Sequence, residues 1–284
     1  MGKPLVIGIQ GGKASFHDSA AHHYFGDNIS ILECETFRNL CEVLDSGKAD
    51  FAMMAIENSI AGSIMPNYSL LKEFKHQVIG EIKLRIIMNL MALPGQKIEN
   101  IEKVMSHYMA LLQCGDFLSQ YPNMEEEKTH DTADSAKMVR EKGLLGVAAI
   151  AGYRAAKEYQ LELLATEIET IKQNYTRFLV LQKQTKSIGV GEVNKAMMSF
   201  ELPHKVGSLA ATLKHVVDHK INLTKIQSVP LIGKPDEYTF YVDCEFLDEK
   251  DYRKCLAQIQ DYVLNLTVLG EFQKGKFVYD RISS

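Results

Sequence analysis

The stretch from residue 4 to residue 56, PLVIGIQGGKASFHDSAAHHYFGDNISILECETFRNLCEVLDSGKADFAMMAI, decides the fold. It opens on an apolar strand pattern, residues 4–10, which Gly11-Gly12 turns into a helical stretch from Ser15. Residues 29–34 read as a second strand. Residues 37–45 carry Phe37, Leu40, Cys41 and Leu44 at helical spacing, and Gly47 is placed to end that helix. Residues 49–56 read as a third strand. Parallel strands need a crossover, so this β-α-β-α-β order predicts a mostly parallel sheet with helices on both faces.

The alternation continues downstream. Residues 77–93 form a long apolar strand pattern with a break, 102–105 a short strand, and 109–118 a helix. A helix over 133–142 is capped by Thr132. A strand over 144–150, a helix over 151–159 and a strand over 177–182 follow. The expectation is two α/β lobes around a cleft, with ligands held at the carboxyl ends of strands. Residues 184–194 are polar, carry Gly189 and Gly191, and read as a linker. After them the order becomes strand 195–202, helix 207–219, strands 221–230 and 237–246, helix 250–263 and strand 266–272. That is the βαββαβ ferredoxin-like arrangement. The domains are therefore placed at 1–183 and 195–284.

Of the 284 residues, 46% are hydrophobic and 24% charged, which is globular composition. Lys plus Arg total 32 against 36 Asp plus Glu, a net charge of −4, which argues against a nucleic-acid partner. No apolar run approaches the roughly 20 residues that span a bilayer, and the start shows no signal-peptide layout. Five cysteines, at 34, 41, 114, 244 and 255, form no CxxC, so neither a disulfide framework nor a zinc site is favoured and a cytoplasmic location is expected. A metal site is possible but unsupported by the histidines, which form no HExxH. The acidic run 125–128 reads as a solvated edge.

Several residues are placed for chemistry. Ser15, Asn58-Ser59, Ser106 and Thr132 each follow a strand and precede a helical pattern, where free N–H groups attract anions; taken singly, each is better accounted for by plain N-capping. In Asn174-Tyr175-Thr176-Arg177-Phe178, an arginine opens an apolar strand. Its guanidinium suits a carboxylate ligand, or else pairs with Glu167 or Glu169. Thr176 beside it is a donor for a leaving oxygen. Glu57 at a strand end is an acid, a base or an arginine partner, and His107 is an acid/base or a loop residue bonded to backbone. No P-loop, GxGxxG or Ser-His-Asp order is present.

Glu57-Asn58-Ser59-Ile60-Ala61-Gly62, then Ser106-His107-Tyr108-Met109-Ala110-Leu111-Leu112-Gln113-Cys114, then Thr132 to Ala136, then Asn174 to Phe178 follow one another along the chain. In this order they resemble the motifs of the prephenate dehydratase family over nearly the whole sequence. The βαββαβ segment resembles that family's ACT regulatory domain, at Gly207-Ser208-Leu209 and Ile221 to Ile226. Two departures stand out. The family's first loop, Gly-Pro-Glu-Gly-Thr-Phe-Ser, reads Gly11-Gly12-Lys13-Ala14-Ser15-Phe16-His17, with Lys13 in place of an acid. The family's Glu-Ser-Arg-Pro reads Gln227-Ser228-Val229-Pro230, and both charges are lost.

The resemblance implies a two-lobed fold like that of periplasmic binding proteins, joined to an ACT domain. It implies decarboxylating dehydration of prephenate, a dicarboxylate, to phenylpyruvate in phenylalanine biosynthesis, without a cofactor. Thr176, Arg177, Glu57 and His107 are then the catalytic candidates, with Glu57 or His107 relaying a proton to Thr176. Ser15, Asn58, Ser59, Ser106, Thr132, Asn174 and Phe178 would contact the substrate. L-phenylalanine would bind at Val206, Gly207, Ser208, Leu209, Asn222, Leu223, Gln227 and Ser228. A homodimer or homotetramer paired through the ACT domains is expected, with no nucleic-acid or membrane partner. Two alternatives remain: an arogenate dehydratase, and a non-catalytic two-lobed amino-acid sensor.

Overall fold

The structure, a computed structural model, describes residues 3–184, 192–231 and 233–280. Most of the expected linker, 185–191, lies outside the described residues. The first elements are β1 (Leu5–Gln10), α1 (Phe16–Phe25), β2 (Ile29–Cys34), α2 (Phe37–Asp45), β3 (Phe51–Asn58), β4 (Gly62–Ser63), α3 (Met65–Phe74), β5 (Gln77–Arg85) and β6 (Asn89–Ala92). Then come β7 (Lys103–His107), α4 (Tyr108–Gln113), α5 (Gly115–Leu118), β8 (Glu125–Thr129), α6 (Thr132–Glu141), β9 (Val147–Ala151), α7 (Tyr153–Glu158), β10 (Glu162–Ala165) and β11 (Tyr175–Gln182). The last are β12 (Lys195–Glu201), α8 (Ser208–Asp218), β13 (Asn222–Pro230), β14 (Tyr238–Glu245), α9 (Glu249–Ile259), β15 (Leu264–Phe272) and β16 (Phe277–Val278).

The chain divides into two compact units. Of the described residues, one holds 3–63, 82–178 and 277–280, and the other holds 64–81, 179–184, 192–231 and 233–276. The first unit contains both α/β lobes. In one lobe β1 pairs in parallel with β2 and β3, in the order β16-β5-β11-β3-β1-β2. In the other the order is β10-β6-β9-β7-β8, with β7 parallel to β8 and β9 and with β6 antiparallel to β9 and β10. The break expected within 77–93 falls between β5 and β6. The acidic run 125–128 is β8, an edge strand whose charged, solvated side chains suit the edge of a sheet. All five cysteines are free and buried, and burial pushes the imidazole of His17 down to about 3.

The helix starts expected at Thr132, Ser59 and Ser106 all differ in the structure. Asp131, not Thr132, caps α6: its Oδ1 accepts from the N–H groups of Ala133 (2.7 Å) and Asp134 (3.1 Å). Both residue types cap well, and the backbone turns helical one residue earlier than the pattern indicated. Ser59 opens no helix either. The chain turns back through β4, and α3 starts at Met65 with Pro66 in its first turn.

In the second unit the sheet order is β13-β14-β12-β15, the ferredoxin-like order, with α8 and α9 packed on one face, where their Val216, Tyr252 and Ile259 share a core with Phe200 and Val242 of the sheet. The other face meets α3: Tyr241 Oη donates to the carbonyl of Tyr68 at 2.9 Å and the two rings meet edge-on. The start of β5 lies against the same sheet. Lys195, 2% exposed, donates to the buried Glu81 carboxylate at 2.9 Å, a pair fully removed from water. Gly270 is where the backbones approach most closely, since a Cβ there would lie 1.9 Å from the Val78 carbonyl oxygen. Gly270→Ala must therefore displace β5, with an expected loss of about 1–3 kcal/mol. The midpoint of denaturant unfolding reads it, and an unchanged midpoint would contradict this packing.

Candidate active site

The carboxyl end of β3 and the start of β11 are adjacent in the sheet, and a network of amides joins them. Asn58 Nδ2 donates to Asn174 Oδ1 at 2.7 Å and to Thr176 Oγ1 at 3.1 Å. Asn58 Oδ1 accepts from the N–H groups of Ile60 and Ala61, both at 2.9 Å, so the turn after β3 fixes which end of the amide faces Thr176. Asn174, fully buried, donates from Nδ2 to Gln113 Oε1 at 2.9 Å, which ties the network to the end of α4. Ser59 pins the two segments: its hydroxyl donates to the Gln173 carbonyl and accepts from the Tyr175 N–H, both at 2.9 Å.

Arg177 is 3% exposed, and its Nη1 lies 3.5 Å from Glu57 Oε1. The alternative partners weighed from sequence are engaged elsewhere. Arg85 Nη2 lies 2.9 Å from Glu167 and 3.5 Å from Glu169, and Glu169 also accepts the Met88 N–H at 3.0 Å. Phe178, 1% exposed, packs edge-on against His17 with ring centroids 4.9 Å apart. Glu57 is thus an arginine partner, and the group that touches the Thr176 hydroxyl is the Asn58 amide.

The glycine loop after β1 meets the other lobe. Gly11 has φ +88°, and a Cβ there would come within 3.3 Å of Asp131 Oδ2, so glycine serves both the turn and the approach. Lys13 pairs with Glu158 on α7 at 2.7 Å, and Tyr159 Oη donates to its carbonyl. Ser15 is 4% exposed and caps α1 through Asp18 N–H at 3.4 Å. Ser106 lies inside β7 rather than at a helix start, and its buried hydroxyl donates to the Ile150 carbonyl at 2.6 Å. His107 is the cap of α4, its Nδ1 accepting from Met109 N–H at 3.3 Å. Thr132 is 8% exposed, just after the cap. Burial pushes the Asp131 carboxyl up, opposed by the N–H groups it accepts from and by nearby His107. The sequence reading missed Gln113 and Asp131, although Gln113 lies within a quoted motif and Asp131 directly before another.

Residues 7–186 match the sequence pattern of prephenate dehydratase. The chain belongs to the prephenate dehydratase family. Arogenate dehydratase/prephenate dehydratase 2 of Arabidopsis thaliana, a chloroplastic protein, is 33% identical over 95% of this chain and 73% of its own length. Among solved structures, the prephenate dehydratase of Staphylococcus aureus is 26% identical, with a TM-score of 0.82 over 95% of this chain and all of that one. GqqA, described as a novel type of quorum quenching acylase, is 25% identical, with a TM-score of 0.86 over 95% of this chain and 98% of that one.

In this prephenate dehydratase family member, some of the residues expected to bind an effector meet in the second unit. Val206, Ser208 and Leu209 line a cavity of about 460 Å³ whose walls include Tyr238 and Phe240. Gly207, at φ +84°, is the cap of α8. Among the described residues the cavity's walls do not include Asn222, Leu223, Gln227 or Ser228. Those lie on the edge strand β13, where Leu223 packs on the core under α8 and α9, and Gln227 Nε2 donates to the Ser228 carbonyl at 3.0 Å. No helix among the described residues is long and apolar enough to cross a membrane. No group of three or more His, Cys, Asp or Glu among them is arranged to hold a metal ion.

Proposed function

We propose that the chain converts prephenate to phenylpyruvate. The ring carboxylate leaves as CO2, its electron pair enters the ring, and the ring hydroxyl takes one proton and departs as water. The ring becomes aromatic, so the driving force resides in the substrate, and the protein's task is to donate one proton and fix two carboxylates. The observation that carries this reading is the Asn58 amide donating to Thr176 Oγ1 beside the buried Arg177. That bond turns the hydroxyl hydrogen away from Asn58 and toward a substrate oxygen. It also stabilises negative charge on Oγ1, which makes Thr176 a better donor. Asn58 thereby takes the assisting role first considered for Glu57 or His107. Arg177, shielded from water and balanced by Glu57, attracts a substrate carboxylate with little screening. Asn174 and Ser59 hold Asn58 and β11 in place, and Phe178 with His17 walls the site with apolar surface.

An acylase reading, as for GqqA, asks for a base beside the nucleophile. The Thr176 hydroxyl is held by an amide donor, which cannot take its proton, and this favours the dehydratase. Arogenate undergoes the same electron movement and is the second substrate to test. We assign L-phenylalanine, as a feedback inhibitor, to the cavity walled by Tyr238 and Phe240, whose rings suit an aromatic ligand. Pairing of this domain gives a homodimer or homotetramer. Initial rates on prephenate and on arogenate, each with and without L-phenylalanine, test the reading. Prephenate is the faster substrate, and L-phenylalanine slows its turnover in the wild type but not in Tyr238→Ala. Failure to consume either compound overturns the reading.

A further inference from the structure

We propose that the second unit holds an additional amino-acid site: a polar cavity between the end of α3 and the face of the four-stranded sheet opposite α8 and α9, suited to a free α-amino acid with an aliphatic side chain. The cavity measures about 890 Å³, within the range of small-molecule sites, and every residue lining it lies in this unit. Side chains alternate across a strand, so Thr239 faces this cavity while Tyr238 and Phe240 face the one assigned to L-phenylalanine, and the two cavities share no wall residue.

Its central group is Glu201 of β12, 9% exposed. Glu201 Oε1 accepts from Lys72 Nζ at 2.9 Å, and Oε2 accepts from Asn265 Nδ2 at 2.7 Å. Lys72 also donates to Thr239 Oγ1 at 3.0 Å. Burial pushes the Glu201 carboxyl up, but Lys72 and Asn265 outweigh it and leave it lowered, so the group is a fixed anion at neutral pH. Lys72 is by contrast 48% exposed, and Lys75 at the cavity wall is exposed as well. A buried anion beside two solvated cations selects a ligand of both signs, since a dianion would meet Glu201 and a dication would meet the lysines. An α-amino acid fits by exchange. Its ammonium takes the place of Lys72 at Glu201 and Thr239, and Lys72, released, joins Lys75 on the ligand carboxylate, so that no charge is left unpaired. Leu71, Val268 and Leu269 supply the apolar wall. They are aliphatic, unlike the Tyr238 and Phe240 rings of the other cavity, and this sets the side-chain class.

The test is calorimetric titration of the full chain with L-leucine at millimolar concentration, alone and with L-phenylalanine present. Binding is the readout, so the result does not depend on the catalytic reading. One L-leucine binds per chain, unaffected by L-phenylalanine or by Tyr238→Ala, and Glu201→Gln weakens it about tenfold or more. Lys75→Gln, which alters an exposed side chain, also weakens it and carries the test should Glu201→Gln prove unfolded by circular dichroism. No binding by the wild type overturns the proposal. Binding that L-phenylalanine displaces, or that neither Glu201→Gln nor Lys75→Gln alters, does the same.

Discussion

Thr176→Ala lowers kcat on prephenate by about 10²- to 10⁴-fold, the range that a positioned proton donor supplies. The fold survives. Thr176 is half-buried, and its Oγ1 receives one of the two bonds from Asn58 Nδ2, the other going to Asn174, so removing it costs about 1 kcal/mol of stability. Thr176→Ser keeps a hydroxyl within reach of Asn58 and recovers a large part of the rate. Stopped assays of the three proteins, with unfolding midpoints for each, check this. Wild-type turnover by Thr176→Ala removes Thr176 from the chemistry. Equal losses in the alanine and serine variants would show that its packing matters and its hydroxyl does not.

Arg177→Lys separates charge from geometry. Lysine keeps a positive charge near Glu57, so the 3.5 Å pair is replaced rather than broken and the protein folds. What is lost is the planar fork that meets both oxygens of a carboxylate. Two charge-assisted bonds reduced to one amount to about 1.5–3 kcal/mol, so kcat/KM for prephenate falls by roughly 10- to 150-fold, most of it in KM if the grip is equal in ground and transition states. Arg177→Ala loses more and also destabilises, by less than a fully buried pair would because the Glu57 side chain is 31% exposed. Unchanged kcat/KM in Arg177→Lys would assign the arginine to structure alone.

Much of this arrangement is legible in the sequence because it is local. Helix α2 runs from Phe37 to Asp45 as read, since four apolar residues at helical spacing fall on the face that buries Leu40, Cys41 and Leu44. The βαββαβ order near the carboxyl end is equally plain, since β13 alternates along its length and each helix carries its own apolar stripe. Helix α3 gave a weak signal: Pro66, Asn67 and Ser69 are poor helix formers, and Tyr68, Leu70 and Leu71 are buried only once the sheet is in place. Its role against that sheet could not be read from its position in the chain. The same limit applies at the site. The Asn58 and Arg177 motifs stand out singly, but the bond from Asn58 to Thr176 spans 118 positions, and no periodicity reports such a contact. Asp131 capping α6, one residue before Thr132, shows how small the error is when two capping residues stand side by side.

The most direct measurement is the release of CO2 and phenylpyruvate from prephenate by the purified wild-type chain at neutral pH, followed together. The account expects the two products in equal amounts, at a rate proportional to protein concentration. Prephenate left unchanged, or CO2 released without phenylpyruvate, would contradict it.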